Sequence, residues 1–238
     1  MLKEEIKRLE EQVSGLNLTQ SLAFVANEFP GKVVFSTSFG MEDQVITDAI
    51  AREKAAINVF TLDTGRLFNE TYEVFSKTVA RYKLRIEAFY PDANEIKDFV
   101  SSKGINSFYE SVENRKECCR IRKIEPLKKA LAGAHIWVTG IRSEQSSNRQ
   151  NFQLFEWDES FQIIKFNPLL HWKSMRVREY INNNKVPYNY LHDKGFLSIG
   201  CAPCTRAIEP GEDERAGRWW WEDSKKECGL HTTLTTSK

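Results

Sequence analysis

Apolar positions along the chain change period several times, and each change marks an element. Leu2, Ile6, Leu9, Val13 and Leu16 recur at helical spacing among Lys and Glu, which predicts an amphipathic helix at the start. A second helix is expected from Thr19, read as its N-cap, to about Glu28, before Pro30-Gly31 breaks the chain. Lys32–Ser36 is a β-branched and aromatic run that leads into Thr37-Ser38-Phe39-Gly40, and helical spacing resumes from Met41 to Arg52. Ile57–Leu62 reads as a strand ending at Asp63-Thr64-Gly65, followed by a helix from about Leu67 to Tyr82 and a strand near Leu84–Phe89. Another helix follows Pro91-Asp92, a longer one runs from Glu113 to Leu131, and Ile136–Thr139 is a buried strand ending at Gly140-Ile141-Arg142. Beyond that, Phe152–Trp157 and Phe161–Phe166 suggest a hairpin around Asp158-Glu159-Ser160, and Ser174 to about Asn183 a helix.

Strands alternating with helices predict an α/β fold, a parallel sheet flanked by helices on both faces. In such sheets ligands bind beyond the strand C-terminal ends. That rule singles out Ser36–Gly40, Asp63–Arg66 and Gly140–Arg142. The organisation expected is one α/β domain over residues 1–225 and a mobile C-terminal tail, 226–238.

With 34 Lys and Arg against 33 Asp and Glu, the net charge of +1 supplies no global field for nucleic acid. No run approaches the roughly 20 apolar residues that cross a bilayer. The expectation is a soluble, cytoplasmic protein with neither nucleic acid nor membrane as partner, its self-association left open. Five cysteines are unevenly spread: Cys118-Cys119 adjacent, Cys201-x-x-Cys204, and Cys228 alone. In a reducing compartment, clustered cysteines point to metal or redox chemistry rather than a disulfide framework. Four thiolates suit an iron–sulfur cluster or a structural zinc. Adjacent Cys118 and Cys119 fit one tetrahedral ion awkwardly, whereas a cubane presents separate iron corners, and this favours [4Fe–4S]. Lys116, Arg120, Arg122 and Lys123 surround the pair and would offset the charge of a thiolate-ligated cluster.

The Ser36–Gly40 turn offers hydroxyls and N–H groups at a helix N-terminus, suited to phosphate or ribose oxygens, though it is not a Walker loop. Taken singly, such a turn is an ordinary cap, Asp63-Thr64-Gly65 an ordinary tight turn, and Arg66 and Arg142 surface cations. Three of them on one sheet edge make a nucleotide-sized pocket. A lone tail cysteine such as Cys228 is ordinarily incidental, but Arg215 and Arg218 share one face of a turn just upstream and suit sulfate or phosphate oxygens. Trp219-Trp220-Trp221 reads as an anchor of this segment to the core.

Cys118-Cys119, Cys201-Ala202-Pro203-Cys204-Thr205-Arg206, Arg215-Ala216-Gly217-Arg218-Trp219-Trp220-Trp221-Glu222 and Glu227-Cys228-Gly229-Leu230-His231 together resemble the cluster-containing assimilatory adenylyl-sulfate reductases. The likeness extends from about Phe35 through His231. It implies an adenine-nucleotide α-hydrolase-like sheet, a [4Fe–4S] cluster on Cys118, Cys119, Cys201 and Cys204, and reduction of adenosine 5′-phosphosulfate to sulfite and AMP. By the same resemblance Cys228 is the nucleophile, and thioredoxin or glutaredoxin is the electron donor. Lys123, Arg215, Arg218 and His231 are implied around the phosphosulfate, with Ser36, Ser38, Asp63, Arg66 and Arg142 on the nucleotide-binding turns. Ser36–Gly40 resembles a degenerate pyrophosphate loop without the double glycine of relatives that hydrolyse ATP. Reduction of the 3′-phosphorylated nucleotide, alone or alongside, is the nearest alternative. tRNA thiolation and a zinc-stabilised binding module are more distant ones.

Overall fold

The computed structural model describes residues 2–146 and 149–222. Cys228 and His231 therefore lie outside the described residues. Helices α1 (Glu5–Val13) and α2 (Leu18–Glu28) precede strand β1 (Val33–Ser36), α3 (Met41–Glu53), β2 (Asn58–Leu62), α4 (Asn69–Tyr82) and β3 (Ile86–Phe89). Then come α5 (Ala93–Lys103), α6 (Val112–Cys119), α7 (Glu125–Leu131), β4 (Ile136–Val138), β5 (Phe155–Asp158), β6 (Ile163–Phe166) and α8 (Ser174–Asn183). The expected N-cap at Thr19 is displaced to Asn17. The carboxamide oxygen of Asn17 accepts from Gln20 N–H while the Gln20 side chain accepts from the Asn17 N–H, a reciprocal capping box.

The six strands form one sheet in the order β3-β2-β1-β4-β6-β5. Every pairing is parallel except β5 with β6, the expected hairpin, in which Phe155 opposes Phe166. Alternating side chains leave each strand on opposite faces, and this divides the core in two. Val33, Phe35, Ile136, Val138, Ile164 and Phe166 join α1, α2, α3 and α8 on one face. Val34, Phe60, Trp137 and Ile163 meet Leu127 and Leu131 of α7 on the other. A third apolar cluster lies beside the sheet and contains Phe99, Phe108, Trp219 and all of Cys118, Cys119, Cys201 and Cys204. Among the described residues no helix is long and apolar enough to cross a membrane.

The predicted long helix from Glu113 to Leu131 is interrupted. Between α6 and α7 the turn Arg120–Ile124 is π-helical. Such a turn inserts one extra residue per coil and re-aims the side chains it carries, here including Arg122 and Lys123. The chain passes from β1 to β2 to β3 on one side and crosses back to β4 on the other side of β1. The β1 and β4 exits therefore diverge, opening a crevice at the switch point.

Candidate active site

A cleft of about 230 Å³ occupies that crevice. The β1 exit supplies Ser36, Thr37, Ser38 and Gly40, the β4 exit Thr139, Gly140 and Ile141, and the β2 exit Thr64. Lys123 enters from the π-turn, and Leu197–Cys201, Arg215 and Arg218 close the remaining side. Of the residues expected from sequence, Ser36, Ser38, Lys123, Arg215 and Arg218 are thus brought together.

Asp63, Arg66 and Arg142 are not among the lining residues. Asp63 shapes its own turn, accepting from Gly65 N–H and the Tyr72 hydroxyl at 2.8 Å each. Arg66 donates to Ile105 O at 2.7 Å and Asn106 Oδ1 at 3.1 Å, and its guanidinium lies over Phe108. Arg142 is buried and its guanidinium is committed to Glu42, Glu144 and Glu214 at 2.7, 3.2 and 3.3 Å. Its charge is spent holding the acidic wall of the cleft, between the β4 exit and the start of α3.

The turn after β1 is folded around a carboxylate. Asp43 Oδ2 accepts from both the N–H and the hydroxyl of Ser38, at 2.6 and 2.7 Å. A backbone hydrogen bond from Gly40 reaches the same side chain. Donors that would otherwise cradle an anion are therefore taken by the protein itself. Burial pushes the Asp43 carboxyl up to about 6, against the lowering effect of the Ser38 donors. Gly140 makes room for this group, since a Cβ there would collide with Asp43 Oδ1. Phe39, between Ser38 and Gly40, has φ +61° and is buried with its ring stacked 4.8 Å from Phe75. Left-handed backbone disfavours a side chain; here aromatic packing holds it. Asp43 was missed from sequence, yet an acid at the N3 position of a predicted helix is a readable signal. His192, buried in the cleft wall on a loop beyond α8, gave no such signal.

Lys123 and Arg218 join this cleft to the cysteines. Burial alone would raise the Cys201 thiol, but Lys123, the Thr64 hydroxyl, Arg218 and Arg122 outweigh it and leave the pKa below the ordinary value. Thr64 Oγ1 lies 3.3 Å from Cys201 Sγ, and Arg122 Nη1 donates to Thr64 O at 2.6 Å. Cys204 and Cys118 go the other way. Burial lifts Cys204 to about 12, helped by the charge of Cys201, and burial likewise raises Cys118. Arg218 is fixed by backbone: Thr205 and Arg218 form an antiparallel bridge, and Trp219 N–H donates to Cys204 O at 3.3 Å. Gly200 lets the guanidinium close in, because a Cβ there would overlap Arg218. The Arg-x-x-Arg segment and the CxxC are thus parts of one unit.

Cys118, Cys119, Cys201 and Cys204 line a second cavity of about 20 Å³, with Arg66, Arg115, Arg122 and Lys123. Among the described residues no three His, Cys, Asp or Glu side chains converge tightly enough to hold one metal ion. Four cysteine sulfurs facing one cavity are a donor set that an iron–sulfur centre takes. Around them Arg122 Nε, Trp219 Nε1 and Trp221 Nε1 are buried N–H donors without a partner among the described residues. A centre carrying sulfide acceptors would satisfy that kind of donor.

A parallel sheet with a cationic cleft at its switch point defines a nucleotide-binding α/β protein, and the cysteine unit beside it narrows the class. The chain belongs to the phosphoadenosine phosphosulfate reductase domain family, matched over residues 32–207. It is 48% identical over 237 residues to a Sinorhizobium fredii protein named adenosine 5′-phosphosulfate reductase, covering 99% of this chain and 94% of that one. A protein of the same name from Allochromatium vinosum is 53% identical over 200 residues, 84% of this chain and 78% of that one. The crystal structure of phosphoadenylyl-sulfate reductase from Candida auris, a phosphate complex, superposes with a TM-score of 0.74 at 30% identity, covering 87% of this chain and 97% of that one. FMN adenylyltransferase from Candida glabrata shares the fold alone, with a TM-score of 0.53 at 15% identity over 90% of this chain and 73% of that one.

Proposed function

We propose that this protein reduces adenosine 5′-phosphosulfate to sulfite and AMP in sulfate assimilation, in the reducing cytoplasm. The observation that carries the reading is the gathering of Lys123, Arg215 and Arg218 on one side of a switch-point cleft, next to the Cys201 segment. Relatives at 48% and 53% identity bear the name of that activity. With the donors of the Ser38 turn taken by Asp43, the phosphosulfate belongs at the cationic side, and the nucleoside extends toward the β1 and β4 exits.

The Cys228 thiolate attacks the sulfuryl sulfur, the sulfur–oxygen bond to the phosphate breaks, and AMP leaves with the electron pair. Lys123, Arg215 and Arg218, joined by His231, neutralise the charge that develops on the phosphate and sulfonyl oxygens. An S-sulfocysteine remains. A thiolate of a thioredoxin or glutaredoxin attacks Cys228 Sγ, sulfite leaves, and a second thiol of the donor resolves the mixed disulfide. The dithiol thus supplies both electrons.

Cys118, Cys119, Cys201 and Cys204 hold a [4Fe–4S] cluster in this reading, supported by the donor set and the unpartnered N–H groups around it. When bound, the cluster ties the Cys118 and Cys201 segments together and sets the field beside Lys123. No electron has to pass through it. The test is sulfite release by anaerobically purified protein with a dithiol donor, comparing adenosine 5′-phosphosulfate with its 3′-phosphorylated form. Turnover favouring the unphosphorylated nucleotide supports the reading. Preference for the 3′-phosphate moves it to the alternative substrate, and no sulfite from either overturns it.

A further inference from the structure

The cleft has two electrostatically distinct parts. Its cationic part carries Lys123, Arg215 and Arg218. The part around His192 is different, because Glu42, Arg178 and Asp193 are the charged groups that act on that ring. Arg178 pairs with Asp193 at 2.9 Å, Arg142 pairs with Glu42 at 2.7 Å and with two further carboxylates, and Arg149, also on the cleft lining, donates to Gln145. An anion placed beside the ring would meet Glu42.

His192 lines the cleft and is 6% exposed, and its Nε2 has no hydrogen-bond partner among the described residues. Leaving a buried ring nitrogen unpaired costs about 1–3 kcal/mol, which implies that something else pairs with it. The ring sits on the short 3-10 turn Tyr190–Lys194. That turn is fixed by Asn189, whose side chain accepts from Leu191 N–H and donates to Thr71 in α4. Burial lowers the tendency of the ring to protonate, and a backbone hydrogen bond at Phe196 works against this. A hydrogen bond that favours the protonated ring is one the ring donates. In the neutral imidazole one nitrogen donates and the other accepts. The donated proton belongs to Nδ1, and Nε2 is left as a lone pair in the cleft.

We infer that His192 is a substrate-contacting, specificity-determining residue whose Nε2 accepts a hydrogen bond from a donor group of the bound nucleoside. The inference rests on the nucleotide reading above. The donors that a nucleoside monophosphate offers are its ribose hydroxyls and the 6-amino group of adenine. If the 3′-hydroxyl is that donor, a 3′-phosphate removes it, and the acceptor, flanked by Glu42, then favours a ligand without that phosphate.

Binding of AMP, its reaction product, to the full chain by titration calorimetry tests this, with 2′-deoxy-AMP, 3′-deoxy-AMP and purine riboside monophosphate as analogues each lacking one donor. Wild-type protein is expected to bind one of the three about tenfold more weakly than AMP, the loss of a single buried hydrogen bond. His192→Phe should bind AMP about tenfold more weakly and no longer distinguish that analogue. His192→Gln, which keeps an acceptor, should retain part of the discrimination. If His192→Phe does not fold, His192→Asn, too short to reach, takes its place. Discrimination that survives unchanged in these variants, or AMP affinity equal to wild type, overturns the inference. Failure of wild-type protein to bind AMP at all would instead remove the nucleotide reading itself.

Discussion

Arg115 and Glu222 form a buried, two-pronged ion pair that ties the cysteine helix to the end of the described chain. Arg115 Nε and Nη2 donate to Glu222 Oε1 and Oε2 at 3.0 and 2.9 Å, and both side chains are under 5% exposed, at 3% and 4%. The guanidinium also lies over the Trp219 ring, 4.9 Å from its centroid. Glu222→Gln keeps the shape and deletes the charge, so the buried guanidinium loses this carboxylate. Breaking a buried pair in this way costs about 3–5 kcal/mol, and screening by solvent is slight because neither group is exposed. For a chain of this size even the lower figure is a fall in Tm of about 6–12 °C. Arg115→Met with Glu222→Leu should recover most of the loss, since replacing both charges removes the desolvation penalty along with the attraction. Thermal unfolding followed by circular dichroism reads both effects. Glu222 is followed six residues later by Cys228. Sulfite release is therefore expected to fall in Glu222→Gln by more than the unfolded fraction explains. A Tm within 2 °C of wild type in Glu222→Gln, or a double variant less stable than the single one, would refute the reasoning.

Gly200→Ala is expected to weaken AMP binding at least about tenfold with little change in Tm, because the new methyl meets the flexible guanidinium of Arg218 rather than backbone; calorimetry and unfolding separate the two. Asp43, raised from 3.8 to about 6 in the fold, holds its proton where the unfolded chain has lost it. Its contribution to stability is therefore largest below pH 4 and declines as pH rises to about 6, by an amount on the order of 3 kcal/mol. Asp43→Asn should lack that decline, seen by comparing urea midpoints of the two proteins from pH 4 to 7. Replacing Cys204 by Ser should lower the iron and acid-labile sulfide of anaerobically purified protein well below the parent's, measured colorimetrically. Equal iron content would remove Cys204 from the ligand set.

The parallel sheet was legible because its strands are short apolar runs between clear breaks, and Asn58–Leu62, Ile136–Val138 and Ile163–Phe166 fall within the runs that the sequence marks. Local chemistry shifted the boundaries, as where Asn17 caps α2 in place of Thr19. The π-turn at Arg120–Ile124 is invisible to a 3.6-residue period, which reads straight through it from Glu113 to Leu131. On the site, Ser36, Ser38, Arg215 and Arg218 were singled out by turn and spacing motifs and Lys123 by the family resemblance, and all five line the cleft. Charge type alone could not separate Arg218, held open by Gly200, from Arg142, consumed by three carboxylates from different segments. That distinction depends on long-range partners. His192 depends on them too, reaching the cleft only through the packing of its turn against α4.

Presentation of a phosphosulfate to Cys228, as proposed, is tested most directly in a single turnover. Reduced protein mixed with one equivalent of adenosine 5′-phosphosulfate, in the absence of any dithiol donor, should release AMP and stop. Peptide mass spectrometry should then map a sulfonate adduct to Cys228, and Cys228→Ser should give neither product. AMP release without an adduct, an adduct on a different cysteine, or turnover by Cys228→Ser would contradict the account.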